Sequence, residues 1–213
     1  MSLLIFFTVI LLIITIILLI CIFSFNLRET LTDEQYKKIH DRLYSLLEKT
    51  ISLFKKHDIK YFIHSGSLLG AVRENGIISH DDDIDIGIFP ESVEKLKSPE
   101  FQNDLKILCL KITINKNNIH KIREINSKIF VDIFVFRENG NKIEYDSDYC
   151  NKHWPNGWFS KDDFFPLKKY VFGDMNVDGP VNPYPYLEQH FGNDWQFPKK
   201  THSHHNKVKE EEI

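Results

Sequence analysis

Four aspartates fall within five positions, at Asp81, Asp82, Asp83 and Asp85. Carboxylates this close repel and raise one another's pKa. A stable fold tolerates them when a cation neutralises the group, and hard oxygen ligands select Mg²⁺ or Mn²⁺. The run Asp83 to Phe89 alternates polar and apolar, the pattern of a half-buried strand. Residues two apart on a strand share a face. Asp83 and Asp85 therefore point the same way, with Ile84, Ile86 and Ile88 opposite them in the core. An acidic surface turn leading into an edge strand would give the same local pattern, so the residues upstream matter.

Upstream, Lys60 to His64 is a short β-prone run that breaks at Ser65-Gly66-Ser67, and Leu68 to Arg73 then places apolar residues at helical spacing. A strand that breaks at Gly-Ser and opens a helix leaves free backbone N–H groups and a small hydroxyl at a helix N-terminus, which cradles phosphate. Arg73, about two turns into that helix, is placed for a forked contact to a phosphate. A phosphate site and a dication site thus lie close together in the sequence, the pairing used in phosphoryl chemistry. Further on, Asp132 stands alone in the apolar run Lys128 to Phe136. A buried unpaired Asp would cost several kcal/mol or stay protonated. A cation shared with Asp83 and Asp85 removes that penalty; a strand-end hydrogen-bond network is the alternative.

The segments Gly66-Ser67-Leu68-Leu69-Gly70-Ala71-Val72-Arg73 and Asp81-Asp82-Asp83-Ile84-Asp85-Ile86-Gly87 together resemble the LicD family, which includes bacterial phosphocholine transferases and fukutin-type ribitol-phosphate transferases. Later stretches resemble the family's closing elements: Phe165-Pro166-Leu167-Lys168-Lys169, and Tyr186-Leu187 followed by Phe191-Gly192 and Asp194-Trp195. The chain departs from the pattern at His80, where an aromatic residue is usual. The resemblance covers about residues 33–198. It implies an α+β fold, a nucleotidyltransferase-like mixed β-sheet flanked by helices. It also implies transfer of a phospho-alcohol (phosphocholine or ribitol phosphate type) from a CDP-linked donor to a glycan hydroxyl, with Mg²⁺ or Mn²⁺ as cofactor. In that reading Asp83, Asp85 and Asp132 hold the metal, Asp132 also takes the acceptor proton, and Gly66, Ser67, Arg73 and Lys121 hold the donor phosphates.

The chain has 213 residues and a formal net charge of -3, too balanced for a nucleic-acid partner. Leu3 to Phe25 is almost wholly apolar, and the first charged side chain is Arg28. At roughly 1.5 Å per residue that run covers the roughly 30 Å hydrocarbon core of a bilayer. It is too long, and lacks the basic start and small-residue exit, for a cleaved signal peptide. Residues 1–27 are therefore expected to form a transmembrane signal anchor, residues 28–198 the folded domain and residues 199–213 a disordered charged tail. The flanking charges Arg28, Lys37 and Lys38 favour a cytoplasmic domain, whereas the resemblance implies a type II protein with its domain in the Golgi or ER lumen. The three cysteines give no disulfide framework. Cys109 reads as core within a strand-like run, and Cys150 with His153 as half a zinc site that lacks a second pair.

Other elements support the motifs. Thr32 and Gln35 form a capping box for an amphipathic helix to about Lys56, with Tyr36, Ile39, Leu43, Leu46, Leu47, Ile51 and Phe54 facing the core. Pro90 opens a helix through Leu96, and Ser98-Pro99 starts another helical turn. Leu105 to Asn115 and Ile119 to Ile125 read as a hairpin, on which His120, Lys121 and Arg123 face either donor phosphates or solvent. Glu138 to Asn141 is a tight turn. Tyr145 to Phe159 is a long loop whose Tyr149, Trp154 and Trp158 can stack on a ligand or pack inward. A second hairpin turns at Gly173-Asp174, and a short helix over 183–191 stops at Gly192. Two other functions share the carboxylates. A D-x-D glycosyltransferase would use a nucleotide sugar, but it accounts for neither the Gly-Ser turn nor Asp132. An inactive relative would only bind glycan or nucleotide.

Overall fold

The computed structural model describes Phe7, residues 10–17 and residues 32–198. The predicted anchor lies mostly outside these, and the predicted tail lies wholly outside. Residues 10–17 are helical. Among the described residues no helix is long and apolar enough to cross a membrane.

Helix α1 (Asp33–Lys56) starts at the predicted capping box: the Thr32 hydroxyl accepts from the Gln35 N–H, and the Gln35 side chain accepts from the Thr32 N–H. Its buried stripe contains Tyr36, Ile39, Leu43, Leu46, Leu47, Thr50, Leu53 and Phe54. Ile51, expected on this face, is only partly buried, because 3.6-residue periodicity carries the stripe through Thr50 and Leu53 instead. The Thr50 hydroxyl donates to the Leu46 carbonyl, so burial leaves it satisfied. Each fully buried Leu, Ile or Phe side chain contributes roughly 1.5–3 kcal/mol.

The main sheet runs β1 (Tyr61–Ile63), β2 (Ile84–Ile88), β5 (Phe130–Asn139), β4 (Ile119–Glu124), β3 (Leu110–Thr113) in spatial order. β2 and β5 are parallel; the other pairs along this path are antiparallel. The far half of β5 turns at Gly140 into β6 (Lys142–Tyr145), which pairs with β7 (Phe159–Ser160). This is the expected mixed α+β sheet. Ile84, Ile86 and Ile88 are fully buried, and Gly87 has a specific reason to be glycine: a Cβ there would sit 2.2 Å from Cζ of Phe62. The Phe62 ring lies instead edge-on to Phe164 (4.6 Å) and Phe136 (5.1 Å).

Helix α2 (Ser65–Arg73) follows β1 directly. After β2 come a 3₁₀ turn (Pro90–Ser92), α3 (Val93–Lys97) and α4 (Pro99–Ile107). The β-rich reading of Leu105 to Asn115 fails at its start. Ser98 caps α4 through the Phe101 N–H and Pro99 occupies the first turn, so the helix carries Phe101 and Leu105 into the core as an i,i+4 pair. The strand begins only at Leu110, and Cys109, read as core, is an exposed junction residue with φ of 56°. The long loop 145–159 likewise contains α5 (Asp148–His153), started by the Ser147 side chain accepting from the Cys150 N–H. After α6 (Lys161–Phe164), β8 (Lys168–Phe172) and β9 (Met175–Gly179) form the predicted hairpin, and α7 (Tyr184–Phe191) stops at Gly192.

Candidate active site

The strand register builds the site. Asp85 on β2 is the lateral neighbour of Asp132 on β5, and Asp132 is the neighbour of Lys121 on β4. These three side chains form a row across the sheet. Asp83, one residue before β2, completes the cluster: Asp83, Asp85 and Asp132 each offer a carboxylate oxygen, all within 4.8 Å of one another. Asp81, Asp82 and Asp83 make a second such group. The entering loop is fixed by His40 of α1, whose Nε2 lies 2.8 Å from the Asp81 carbonyl oxygen. Lys121 Nζ is 2.7 Å from one Asp132 oxygen and 3.0 Å from the other.

Burial is the first cause that pushes the Asp85 carboxyl well above the ordinary carboxylate range; Asp83, Asp132 and Asp81 push further, and Lys121 pulls back. Asp81 is raised to about 8, again by burial first and then by Asp83. Burial, with His190 second, pushes His64 down to about 3. Its ring sits edge-on to Phe134 at 4.8 Å and Phe136 at 5.0 Å, so it is a neutral part of the wall.

His64, Asp81, Asp83, Asp85, Lys121 and Asp132 line a cavity of about 760 Å³. Ser65, Gly66, Leu69 and Arg73 of α2 form one wall, Phe134, Tyr145, Tyr149 and Trp154 another, and Trp195 and Phe197 part of the rim. Gly66 leaves room for Asp81: a Cβ there would lie 2.7 Å from Oδ2 of that carboxylate. The helix start thus comes close to the Asp81 carboxylate.

Several sequence assignments find a different place. The Ser67 hydroxyl does not line the cavity; it is buried and accepts the Asp85 N–H at 2.8 Å, fixing β2 against α2. Ser65, unassigned in the sequence, occupies the wall instead. Arg73 lines the cavity, but its guanidinium also pairs with Glu74 at 2.7 Å and donates to the Trp195 carbonyl at 3.2 Å. His120 is buried on the other face of β4, its Nδ1 accepting the Asn115 N–H at 3.2 Å. Arg123 is absent from the lining, which Tyr149 and Trp154 share, whereas Trp158 packs elsewhere under Lys142 Nζ at 3.8 Å. The Cys150 and His153 side chains diverge. Cys150 is buried with its thiol toward the Asn117 carbonyl, while the His153 Nδ1 lies 2.8 Å from the Tyr149 carbonyl oxygen. His80, the departure noted in the sequence, lines the cavity and meets the Tyr36 ring edge-on at 5.9 Å. Tyr186 and Trp195 come from the far C-terminal part, where only the motif Tyr186-Leu187 to Trp195 hinted at them.

A helix N-terminus and a cluster of carboxylates thus open on one cavity of a mixed α+β domain. Residues 58–182 match the model of the LicD/FKTN/FKRP nucleotidyltransferase domain. That is more than half of the chain, and the chain belongs to this family. A protein of Rickettsia prowazekii (strain Madrid E), itself uncharacterised, is 37% identical over 170 residues, covering 76% of this chain and 60% of that one. The human ribitol-5-phosphate transferase FKTN is 26% identical over 174 residues, covering 78% of this chain and 35% of FKTN. The mouse ribitol 5-phosphate transferase FKRP is 25% identical over 147 residues, covering 67% of this chain and 29% of FKRP. The chain therefore spans from about a third to three-fifths of the length of these curated relatives. Among solved structures, the adenylyltransferase LnuA bound to lincomycin superposes with a TM-score of 0.43 at 16% identity, over 71% of this chain and 94% of that one. ANT(2")-Ia with adenylyl-2"-tobramycin gives 0.45 at 11%, over 72% and 80%. Likeness at that level bears on no residue here.

Proposed function

We propose that this chain is a phosphotransferase that moves a phospho-alcohol, of the phosphocholine or ribitol phosphate type, from a CDP-linked donor to a glycan hydroxyl. The observation that carries the reading is the row Asp85–Asp132–Lys121 with Asp83, facing the start of α2 across one cavity. Family membership and the names of FKTN and FKRP support the reaction class.

The donor set fits Mg²⁺ or Mn²⁺: three carboxylates with oxygens within 4.8 Å, one of them forced toward its protonated form by burial and its neighbours. Asp83, Asp85 and Asp132 would hold that ion, which when bound offsets their repulsion and draws charge from the donor phosphates. The chain's own residues do the rest. The start of α2 around Gly66 presents backbone N–H groups to the diphosphate. Arg73 and Lys121 add positive charge, Lys121 by turning from Asp132 toward phosphate. Asp132, released from Lys121, takes the proton of the acceptor hydroxyl as it attacks phosphorus, and CMP leaves. Tyr149 and Trp154 supply flat apolar faces for the base or the acceptor sugar. The apolar run Leu3 to Phe25 would anchor the enzyme as a type II membrane protein with its domain in the Golgi or ER lumen.

The test is the melting temperature of the full chain in detergent with CDP, UDP or GDP, each with and without Mg²⁺. A ligand that binds only the native state raises it. The reading expects a Mg²⁺-dependent rise with CDP that disappears in Asp83→Ala. A rise with UDP or GDP alone would point to a D-x-D glycosyltransferase, and no rise with any of them to an inactive relative.

A further inference from the structure

The first residue of α2 has a backbone conformation that residues other than glycine seldom adopt: Ser65 has φ of 49°. What holds it comes from the other end of the chain. The Ser65 N–H donates to the hydroxyl of Tyr186 at 3.2 Å. Tyr186, on α7, is buried, with its ring stacked on Phe159 (3.9 Å, 14°) and on His190 (5.2 Å, 9°). Tyr145, by contrast, lines the cavity. Tyr186 itself lies behind the cavity wall. The same C-terminal segment holds the far end of α2, where the Trp195 carbonyl accepts from Arg73 Nη1 at 3.2 Å.

A phenylalanine would serve the stacking equally well. A hydroxyl buried among aromatic rings is unfavourable unless a hydrogen bond is made to it, and here the Ser65 N–H makes it. The torsion at Ser65 sets the direction of Gly66, whose missing Cβ lets α2 approach the Asp81 carboxylate. The geometry points to Tyr186 as a positioning residue: its buried hydroxyl holds Ser65 in the left-handed conformation and thereby aims the start of α2 at the carboxylate cluster. The inference rests on the reading of this cavity as a diphosphate site.

The experiment compares the full-length wild type, Tyr186→Phe and the double variant Tyr186→Phe with Ser65→Gly. It measures the Kd for CDP with Mg²⁺ by calorimetry, the melting temperature, and the amide hydrogen exchange of Ser65 and Gly66. Removing one hydrogen bond to a binding element is expected to weaken CDP binding about tenfold and to speed exchange at Ser65, with the melting temperature changed by less than about 3 °C. Glycine adopts positive φ without the tether, so the double variant recovers most of the affinity. Wild-type affinity in Tyr186→Phe, or no recovery in the double variant, overturns the proposal. If the wild type binds no CDP, the diphosphate reading fails by itself, and exchange decides the positioning claim: faster exchange at Ser65 in Tyr186→Phe upholds it, and unchanged exchange overturns it.

Discussion

At the scale of single residues, close approach explains more than charge count. Four aspartates suggest a cation site, but Gly66 is what lets a helix start reach them. Gly66→Ala would push the Asp81 carboxylate, which is the movable partner, out of its place 2.7 Å from the new Cβ. The melting temperature should then stay within a few degrees of wild type while transfer activity falls at least about tenfold, because Asp81 shares a carboxylate cluster with Asp83 and shifting the groups around a reacting centre by about 1 Å is that damaging; full activity in the variant would show that the approach is incidental. Ser67 shows the limit of motif reading. Its type and position beside Gly66 suit phosphate, but its hydroxyl is already used by the Asp85 N–H. No residue pattern distinguishes a serine that holds a ligand from one that holds the next strand.

At the scale of elements, α1 and β2 set the geometry. Thr32→Ala removes the cap of a helix that buries eight side chains, at a cost of about 1 kcal/mol, or roughly 2–4 °C in melting temperature for a domain of this size. Gly87→Ala is expected to be worse, because the added methyl meets the buried Phe62 ring at 2.2 Å, and overpacking of this kind costs about 1–3 kcal/mol; urea denaturation of both variants ranks them. These elements were legible because each carries a local signal: a capping box, a period of 3.6, an alternation of period 2. Asp132 was legible as one charge in an apolar run. The start of β3 was not, since Leu105 to Asn115 is equally apolar as helix or strand and the Ser98 cap with Pro99 decided for helix up to Ile107. α5 was hidden by the turn-rich composition around it. The tether from Tyr186 to Ser65 was beyond local reading, because it joins residues 121 apart in sequence.

At the scale of the whole molecule, burial of His64 makes stability depend on pH. Its pKa is lowered in the folded state from the ordinary 6.5 to about 3, so the unfolded chain binds the proton more tightly. The contribution is fully present above pH 6.5 and is lost as pH falls from there toward 3, at about 1.4 kcal/mol per pH unit. Asp81 and Asp85, pushed up by burial, contribute slope of the opposite sign in the same window. Urea denaturation between pH 7.5 and 4.5 should therefore show the His64 contribution as the difference in slope between wild type and His64→Phe; identical slopes would place the proton elsewhere. The molecule as a whole joins a sheet that aligns Asp85, Asp132 and Lys121, a helix start that faces them, and a C-terminal segment that ties the helix at both ends. The most direct measurement of what this assembly does is release of CMP from CDP-ribitol and CDP-choline by wild type and Asp132→Asn, with Mg²⁺ and a mixed glycan acceptor. The account predicts Mg²⁺-dependent CMP release by the wild type and loss of at least about a hundredfold in Asp132→Asn, with CDP still bound. Undiminished release by Asp132→Asn, or release of UDP from nucleotide sugars in place of CMP, would contradict it.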